Sequence, residues 1–175
     1  MKASDILDLY TALQQAGITI WIDGGWAVDA LLGEETRVHG DLDIVIEQQH
    51  VVQLRQLLAD RQYREIKQET AKPHNFVLAD DKAREIDIHV IVIDEHGNGI
   101  YGPPENGEMY PAASLTGKGT ITDRPVKCIS AEYMVQFLAP WIDKHPHKYL
   151  PAVSALCERF GIDLPEEYVI YQSKE

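Results

Sequence analysis

Cysteine is scarce in this sequence. Only Cys128 and Cys157 occur among the 175 residues. They do not have the short spacings that are typical of metal-binding or redox-active cysteines. A disulfide scaffold and a cysteine-ligated metal centre are therefore not expected, and we predict that both thiols are structural.

Long hydrophobic runs are also missing. No apolar stretch approaches the roughly 20 residues that a membrane-spanning helix needs. The first residues, MKASDILDLY, lack the basic segment followed by an apolar segment that is typical of a secretion signal. We therefore expect a cytoplasmic protein with no membrane partner, and its length suits one compact domain.

Basic residues are too few to balance the acidic ones. The sequence has 16 Lys and Arg against 28 Asp and Glu, which gives a formal net charge of −12. Nucleic-acid binding depends on Lys and Arg that neutralise phosphates, so no nucleic-acid partner is expected. A cationic small molecule or a metal ion suits this charge, although solubility alone also accounts for it.

Helix-like and strand-like segments alternate over the first 100 residues. The apolar spacing predicts helices at about 4–16, 26–32, 50–60, 130–139 and 150–161, and strands at about 18–22, 42–46, 63–67, 75–79 and 84–93. Residues 100–125 are rich in Gly, Pro and Asn, which predicts a long ordered loop or irregular edge strands. We expect an α/β (α+β) fold, with a mixed sheet and helices mainly on one face.

The predicted elements divide the chain into two parts. We assign residues 1–127 to an α/β core and residues 128–175 to a small C-terminal helical subdomain. Both parts are expected to pack into a single compact domain.

Asp41 and Asp43 lie at the start of one predicted strand, within the sequence GDLDIVIE. Side chains alternate along a strand, so both carboxylates project to one face while Leu42 and Ile44 face the core. Neighbouring carboxylates repel one another unless a cation lies between them. Oxygen ligands of this kind suit Mg²⁺ together with substrate phosphates, and a solvated strand face is the alternative interpretation.

Further candidate residues lie on either side of this pair. Gly24 and Gly25 separate a predicted strand from a helix, where glycines permit a tight turn and leave N–H groups for a phosphate. Asp87 and His89 share one face of the strand at 84–93. If that strand neighbours the strand of Asp43, a third carboxylate reaches the first two.

These residues resemble a known family. The order of strand, Gly-Gly, short helix, Asp-x-Asp strand and later single-Asp strand resembles the nucleotidyltransferase superfamily of the polymerase-β type. The stretches WIDGGWAVDALLG, TRVHGDLDI, EIDIHVI and PVKCIS are similar to small antibiotic nucleotidyltransferases, namely the lincosamide enzymes and the aminoglycoside 2″-O-adenylyltransferases. The similarity is greater to the lincosamide enzymes and extends over nearly the whole chain.

The resemblance implies transfer of a nucleoside monophosphate, AMP from ATP, to a hydroxyl of a small antibiotic, with release of pyrophosphate. It implies that Asp41 and Asp43 hold one Mg²⁺ and that Asp87 helps to hold a second or acts as general base. The nucleotide-binding residues that we assign are Gly24, Gly25, Arg37 and His39.

Several assignments have alternatives. His39 either contacts phosphate, supports a metal ligand or is structural, and His89 either lines the acceptor pocket or serves only its strand. Related enzymes have charged and His residues at a place comparable to the stretch KHPHK, residues 144–148, so the resemblance implies that a lysine of this stretch reaches the nucleotide phosphates. Asp29, on the short helix at 26–32, is predicted to be a helix-face residue and not a ligand.

Two other functions remain open for the chain. One is nucleotidyl transfer to a metabolite or protein hydroxyl, and the other is a non-catalytic module that binds MgATP. Such a module is expected to lose one of the clustered carboxylates, because they cost stability when no metal is needed. Asp41, Asp43 and Asp87 are all present, and a monomer and a homodimer are both compatible with the sequence.

Overall fold

The computed structural model describes residues 1–69 and 71–172. Within these ranges the helices are α1 (Ala3–Gln15), α2 (Gly24–Leu32), α3 (Val51–Asp60), α4 (Ala131–Leu138), α5 (Pro146–Phe160) and α6 (Glu166–Gln172). The strands are β1 (Ile20–Asp23), β2 (Asp41–Glu47), β3 (Arg64–Ile66), β4 (Asn75–Ala79), β5 (Glu85–Ile93), β6 (Gly99–Tyr101), β7 (Met109–Tyr110), β8 (Lys118–Ile121) and β9 (Arg124–Lys127). Short 3₁₀ helices occur at Gln48–His50, Pro104–Asn106, Ala112–Thr116 and Ala139–Trp141.

A mixed sheet organises these elements. Its strand order is β1-β2-β5-β4-β3, with β6 paired to the end of β5 and β7 paired to β6. Strands β2 and β5 are parallel, whereas β1 is antiparallel to β2 and β4 is antiparallel to β5. The predicted α/β fold with a mixed sheet is confirmed. No helix in the described ranges is both long and apolar enough to cross a membrane.

The faces of β2 and β5 follow from the alternation of their residues. Leu42, Ile44, Ile86 and Ile88 are at most 1% exposed and lie in the core. The residues between them point to the opposite face, where the sequence has charged or polar side chains instead of apolar ones. Because the two strands are paired, their charged and polar side chains lie next to each other on this face of the sheet.

Helix α2 follows β1 without a loop. Asp23, the last residue of β1, caps the helix by accepting a hydrogen bond from the N–H of Gly24 at 2.7 Å. Gly24 adopts a φ of 57°, which favours glycine, and a Cβ at this position would overlap the Asp43 carboxylate. The abrupt change from strand to helix thus depends on a residue without a side chain.

The hairpin of β8 and β9 packs against α2 and lies within the region predicted as loop or irregular edge strands. It leads directly to a parallel bridge between Cys128 and Ile22 of β1. Helix α5 begins at Pro146, earlier than the predicted start near residue 150, and contains Pro151 in its interior.

Gly119 provides a test of the packing between the hairpin and α2. A Cβ at Gly119 would overlap the backbone of Ala30 in α2, so Gly119→Ala is expected to destabilise the fold by about 1–3 kcal/mol. Gly40→Ala is the matched control, because a Cβ there meets no atom within 4 Å. Urea unfolding measures both variants, and equal stabilities would contradict this packing.

Candidate active site

Three carboxylates lie in one row across the sheet. Asp23 of β1 is paired with Asp43 of β2, and Asp43 is paired with Asp87 of β5. Because directly paired residues of adjacent strands project to the same face, these side chains meet above the sheet. The strand pairing thus brings together the predicted Asp43 and Asp87 and adds Asp23, which the sequence did not indicate.

A cavity of about 970 Å³ lies over this row. The sequence-predicted residues that line it are Gly24, Gly25, Arg37, Asp41, Asp43, Asp87 and His89. Further lining residues include Asp23, Thr36, Asn75, Tyr101, Glu108, Met109, Tyr110, Phe137, Trp141, Lys148 and Tyr149. The cavity therefore combines one acidic row, two basic side chains and an aromatic wall.

Asp43 bears the strongest electrostatic conflict of the row. Burial of its side chain, together with the negative charges of Asp23, Asp41 and Asp87, raises the pKa of Asp43 to about 7, although nearby His89 opposes this. Its carboxyl group therefore gives up its proton readily when a cation comes to lie beside it.

Asp23 is buried, and both of its carboxylate oxygens have hydrogen-bond donors. Oδ1 accepts from the N–H of Gly24, and Oδ2 accepts from the hydroxyl of Tyr110 at 2.9 Å. Burial alone would raise the pKa of Asp23, but these bonds and the nearby His89 outweigh it and lower the pKa. Asp23 is thus held as an anion whose oxygens are already engaged.

His89 joins this buried anion to Asp87. Its Nδ1 lies 2.6 Å from the hydroxyl of Tyr110 and 3.6 Å from Oδ2 of Asp23, while its Nε2 lies 3.7 Å from Oδ1 of Asp87. Burial lowers the pKa of His89, but hydrogen bonding and attraction to the two carboxylates outweigh this and raise the pKa to about 10. At neutral pH His89 is therefore an imidazolium within the acidic row.

Asp87 is half-buried and has a second fixed neighbour. The side-chain amide of Asn75, on the adjacent β4, donates to Oδ1 of Asp87 at 2.7 Å. This bond orients the carboxylate toward the cavity. Oδ2 of Asp87 is therefore the better placed of its two oxygens to accept a proton or bind a cation.

The described residues contain one cluster with the spacing of metal ligands. Ligand atoms of Asp43, Asp87 and His89 all lie within 4.8 Å of one another. Asp43 and Asp87 offer carboxylate oxygens to this cluster, and His89 offers a ring nitrogen. Asp41 is exposed on the same face of β2 and lines the same cavity. Carboxylate oxygens whose negative charges repel one another are suitable ligands for a hard divalent cation.

The cavity also has positive charge. Arg37 and Lys148 both line it, and Lys148 belongs to the stretch at 144–148 that the sequence indicated. Gly25 lies at the N-terminal end of α2, where backbone N–H groups and the helix dipole favour anions. A Cβ on Gly25 would overlap both the Arg37 guanidinium and the ring of His39.

His39 itself lies outside the lining of the cavity. It is 2% exposed, and its Nε2 lies 2.6 Å from the carboxylate of Asp29, which is equally buried. Its ring also packs against Trp26, with 4.8 Å between ring centroids. The structure therefore places His39 beneath the glycine turn as a supporting residue, and a direct contact with phosphate remains a prediction.

The sequence did not indicate Asp23, Asn75 and Tyr110 as site residues. The motif Asp-Gly-Gly offered a signal for Asp23, since an aspartate before a helix start is a frequent N-cap. Tyr110 lies in the Gly- and Pro-rich region without periodicity, and neither it nor Asn75 carries a local signal for the site. Only the pairing of β4 and β7 into the sheet brings them to it.

Comparison with known proteins identifies the class of this fold and site. A lincosamide antibiotic adenylyltransferase, solved with bound lincomycin, superposes with a TM-score of 0.75 and 25% identity, and the alignment covers 93% of this chain and 99% of that one. An ANT(2″)-Ia enzyme in complex with adenylyl-2″-tobramycin superposes with a TM-score of 0.72 at 20% identity, covering 98% and 97%. The fold is that of nucleotidyltransferases of the polymerase-β type.

Sequence relatives identify the family within this class. The profile of the aminoglycoside-2″-adenylyltransferase family matches residues 5–149. A lincosamide resistance protein of Staphylococcus haemolyticus is 32% identical over 133 residues, 75% of this chain and 79% of the relative. A 2″-aminoglycoside nucleotidyltransferase of Escherichia coli is 28% identical over 160 residues, 85% of this chain and 84% of the relative. The chain belongs to this family of antibiotic nucleotidyltransferases and is an adenylyltransferase-type enzyme.

Asp43→Asn tests the conflict of charge in the carboxylate row. Because the pKa of Asp43 is raised to about 7 in the folded chain, folding takes up a proton between about pH 4 and pH 7, and the free energy of unfolding falls as pH rises through this range. In metal-free buffer the variant is therefore expected to be more stable than the wild type at pH 8, by about 1 kcal/mol or more. For a chain of this size that corresponds to roughly 2–4 °C in Tm.

Thermal unfolding at pH 4.5 and pH 8 in EDTA measures this difference, which is expected to shrink at the lower pH. Added Mg²⁺ is expected to raise the Tm of the wild type and not that of the variant. A variant less stable than the wild type at pH 8 would show that Asp43 is structural.

Proposed function

We propose that this enzyme transfers AMP from ATP to a hydroxyl of a small antibiotic in a Mg²⁺-dependent reaction, with a lincosamide as the favoured acceptor and pyrophosphate as the second product. The observation that carries the proposal is the row of Asp23, Asp43 and Asp87 in a cavity that Arg37 and Lys148 also line. Such a site suits a polyphosphate together with cations.

Asp87 is the proposed general base. The acceptor hydroxyl oxygen forms a bond to the α-phosphorus, the bond from that phosphorus to the bridging oxygen of pyrophosphate breaks, and the hydroxyl proton goes to Asp87. Asn75 and His89 support this role, because they fix the carboxylate from one side and leave its other oxygen toward the cavity.

Asp41, Asp43 and Asp87 are the residues that would hold one or two Mg²⁺ ions. When bound, Mg²⁺ neutralises triphosphate oxygens and the negative charge that develops at the α-phosphorus. The oxygen donors fit this ion, and the readily ionised Asp43 supports the assignment. We do not assign Asp23 to the metal, because it is buried and both its oxygens already accept hydrogen bonds.

Arg37, Lys148 and the N-terminus of α2 are the proposed binding groups for the β- and γ-phosphates. Arg37 offers a planar fork that matches phosphate oxygens, and Lys148 adds a mobile point charge from α5. Pyrophosphate that leaves the α-phosphorus thus remains paired with positive charge, which favours cleavage of the phosphoanhydride bond.

The remaining lining residues support a lincosamide over an aminoglycoside. An apolar and aromatic wall of the cavity is built mainly from Tyr101, Met109, Tyr110, Phe137, Trp141 and Tyr149. Of the lining carboxylates, Asp23 is engaged within the protein and three others are assigned to metal, which leaves Glu108. An acceptor with one amine and a large apolar surface fits such a wall, whereas several ammonium groups require several free carboxylates.

The cavity also supports the division of the chain into two parts. The core at 1–127 supplies the acidic row, Arg37 and Glu108, whereas residues 128–175 supply Phe137, Trp141, Lys148 and Tyr149. In this proposal the C-terminal helical subdomain closes one side of the active site.

A pyrophosphate-release assay tests the reaction. With ATP and Mg²⁺, release is expected with lincomycin or clindamycin and not with kanamycin, gentamicin or tobramycin. Asp87→Asn is the control and is expected to reduce turnover at least about 100-fold, as removal of a general base does. Release with the aminoglycosides alone would overturn the proposed acceptor. If none of these drugs causes pyrophosphate release while MgATP still binds, the result would indicate a different hydroxyl acceptor or a non-catalytic module.

Glu108→Gln tests the proposed amine contact. The variant is expected to raise KM for the lincosamide about threefold to tenfold with little change in kcat, because an ionic contact to the bound amine is lost in the ground state and the transition state alike. Glu105→Gln is the matched control, since Glu105 is exposed nearby but does not line the cavity. Equal KM values for both variants would contradict a role of Glu108 in acceptor binding.

A further inference from the structure

Asp29 is a buried carboxylate in α2 whose two oxygens contact different parts of one loop. It is 2% exposed. Its Oδ1 accepts a hydrogen bond from the hydroxyl of Thr36 at 2.6 Å, and its Oδ2 lies 2.6 Å from Nε2 of His39. Burial of a carboxylate is costly unless its oxygens are satisfied, and here both are.

Thr36 and His39 stand on either side of Arg37 in the loop that joins α2 to β2. Arg37 lines the cavity, and the hydrogen bond of its own guanidinium is a local one, to the carbonyl of Val38 at 3.2 Å. The two contacts of Asp29 therefore fix the loop before and after the arginine. These contacts attach Thr36 and His39 to helix α2.

The arginine and His39 also meet at the glycine turn. The guanidinium of Arg37 and the ring of His39 both lie where a side chain on Gly25 would be. His39 is held in place by Asp29. Its ring and the guanidinium of Arg37 lie next to each other at the first turn of α2. A rotation of the imidazole would change the space open to the guanidinium.

We propose that Asp29 is a positioning residue for the nucleotide: it holds the loop of residues 36–39 so that Arg37 faces the triphosphate. This inference rests on the proposed function, because it takes the nucleotide as the ligand of Arg37. An apolar residue would fill the same space in α2 at lower cost. The carboxylate is required there by the two polar groups that it holds in place.

A double-mutant cycle on nucleotide binding tests this inference. Titration calorimetry with α,β-methylene ATP and Mg²⁺ compares the wild type with Asp29→Ala, Arg37→Ala and the double variant. Each single variant is expected to raise Kd about tenfold, as for loss of a charge-assisted contact. Because Asp29 acts through Arg37, the double variant is expected to bind no more weakly than Arg37→Ala. A double variant whose loss equals the product of the single losses would overturn the inference.

Asp80→Ala is the matched control for loss of a buried carboxylate. The side chain of Asp80 is 1% exposed and binds Arg84 at 2.5 Å, and it does not line the cavity. This variant is expected to lose stability and keep the Kd of the wild type. A similar rise in Kd for both Asp80→Ala and Asp29→Ala would mean that any loss of stability weakens the site, and would overturn the positioning role.

Asp29→Asn provides a milder variant for the same cycle should Asp29→Ala not fold. Its amide keeps an oxygen for Thr36 and a polar group for His39, so a rise in Kd smaller than that of Arg37→Ala is expected. In steady-state kinetics KM for ATP is expected to rise while KM for the acceptor stays unchanged. An equal rise in both KM values would count against positioning of the nucleotide.

The wild-type titration separates this inference from the proposed function. Wild-type chain that does not bind α,β-methylene ATP would overturn the proposed function and the role of Asp29 with it. Wild-type binding combined with independent effects of the Asp29 and Arg37 substitutions would overturn the role of Asp29 alone.

Discussion

The repulsion among three carboxylates in one row is the constraint on which the rest of this structure depends. Asp23, Asp43 and Asp87 are direct neighbours across three strands, and each is accommodated differently. Asp23 remains an anion because it is surrounded by donors, Asp87 is oriented by side chains on its own sheet, and Asp43 has its pKa raised. The imidazolium of His89 and the hydroxyl of Tyr110 are needed for this arrangement. Strand β7, which carries Tyr110, therefore contributes to the electrostatics of the site although it lies at the edge of the sheet.

The sequence was most informative where one periodic pattern determined both the fold and the site. In β2 and β5 strict alternation identifies the core face, so the face of Asp43, Asp87 and His89 follows from the same residues. The sequence argument required that the two strands be neighbours, and the structure pairs them, in parallel. The turn at Gly24 was also predictable, because an abrupt change from strand to helix favours a residue that adopts positive φ without strain.

The remaining features depend on residues whose local signals are weak or misleading. All four residues of β1 are buried, so no alternation marks the side chain of Asp23. The β8–β9 hairpin turns through Thr122 and Asp123, both with positive φ, although such turns usually carry glycine or asparagine. Pro151 was interpreted as marking a helix start or a kink near residue 150, and it lies inside a helix that begins at Pro146.

The bridge between Ile22 and Cys128 has a consequence for the order of folding. The N–H of Ile129 donates to the carbonyl of Ile22, so the outer edge of β1 pairs with a segment more than 100 residues later in the chain. Contacts of such high sequence separation form slowly, because a large loop must close first. During synthesis β1 emerges early with a free edge, and more than 100 further residues are made before the segment that covers it. Asp23 at the end of β1 and the net negative charge of the chain disfavour pairing of this free edge with other copies.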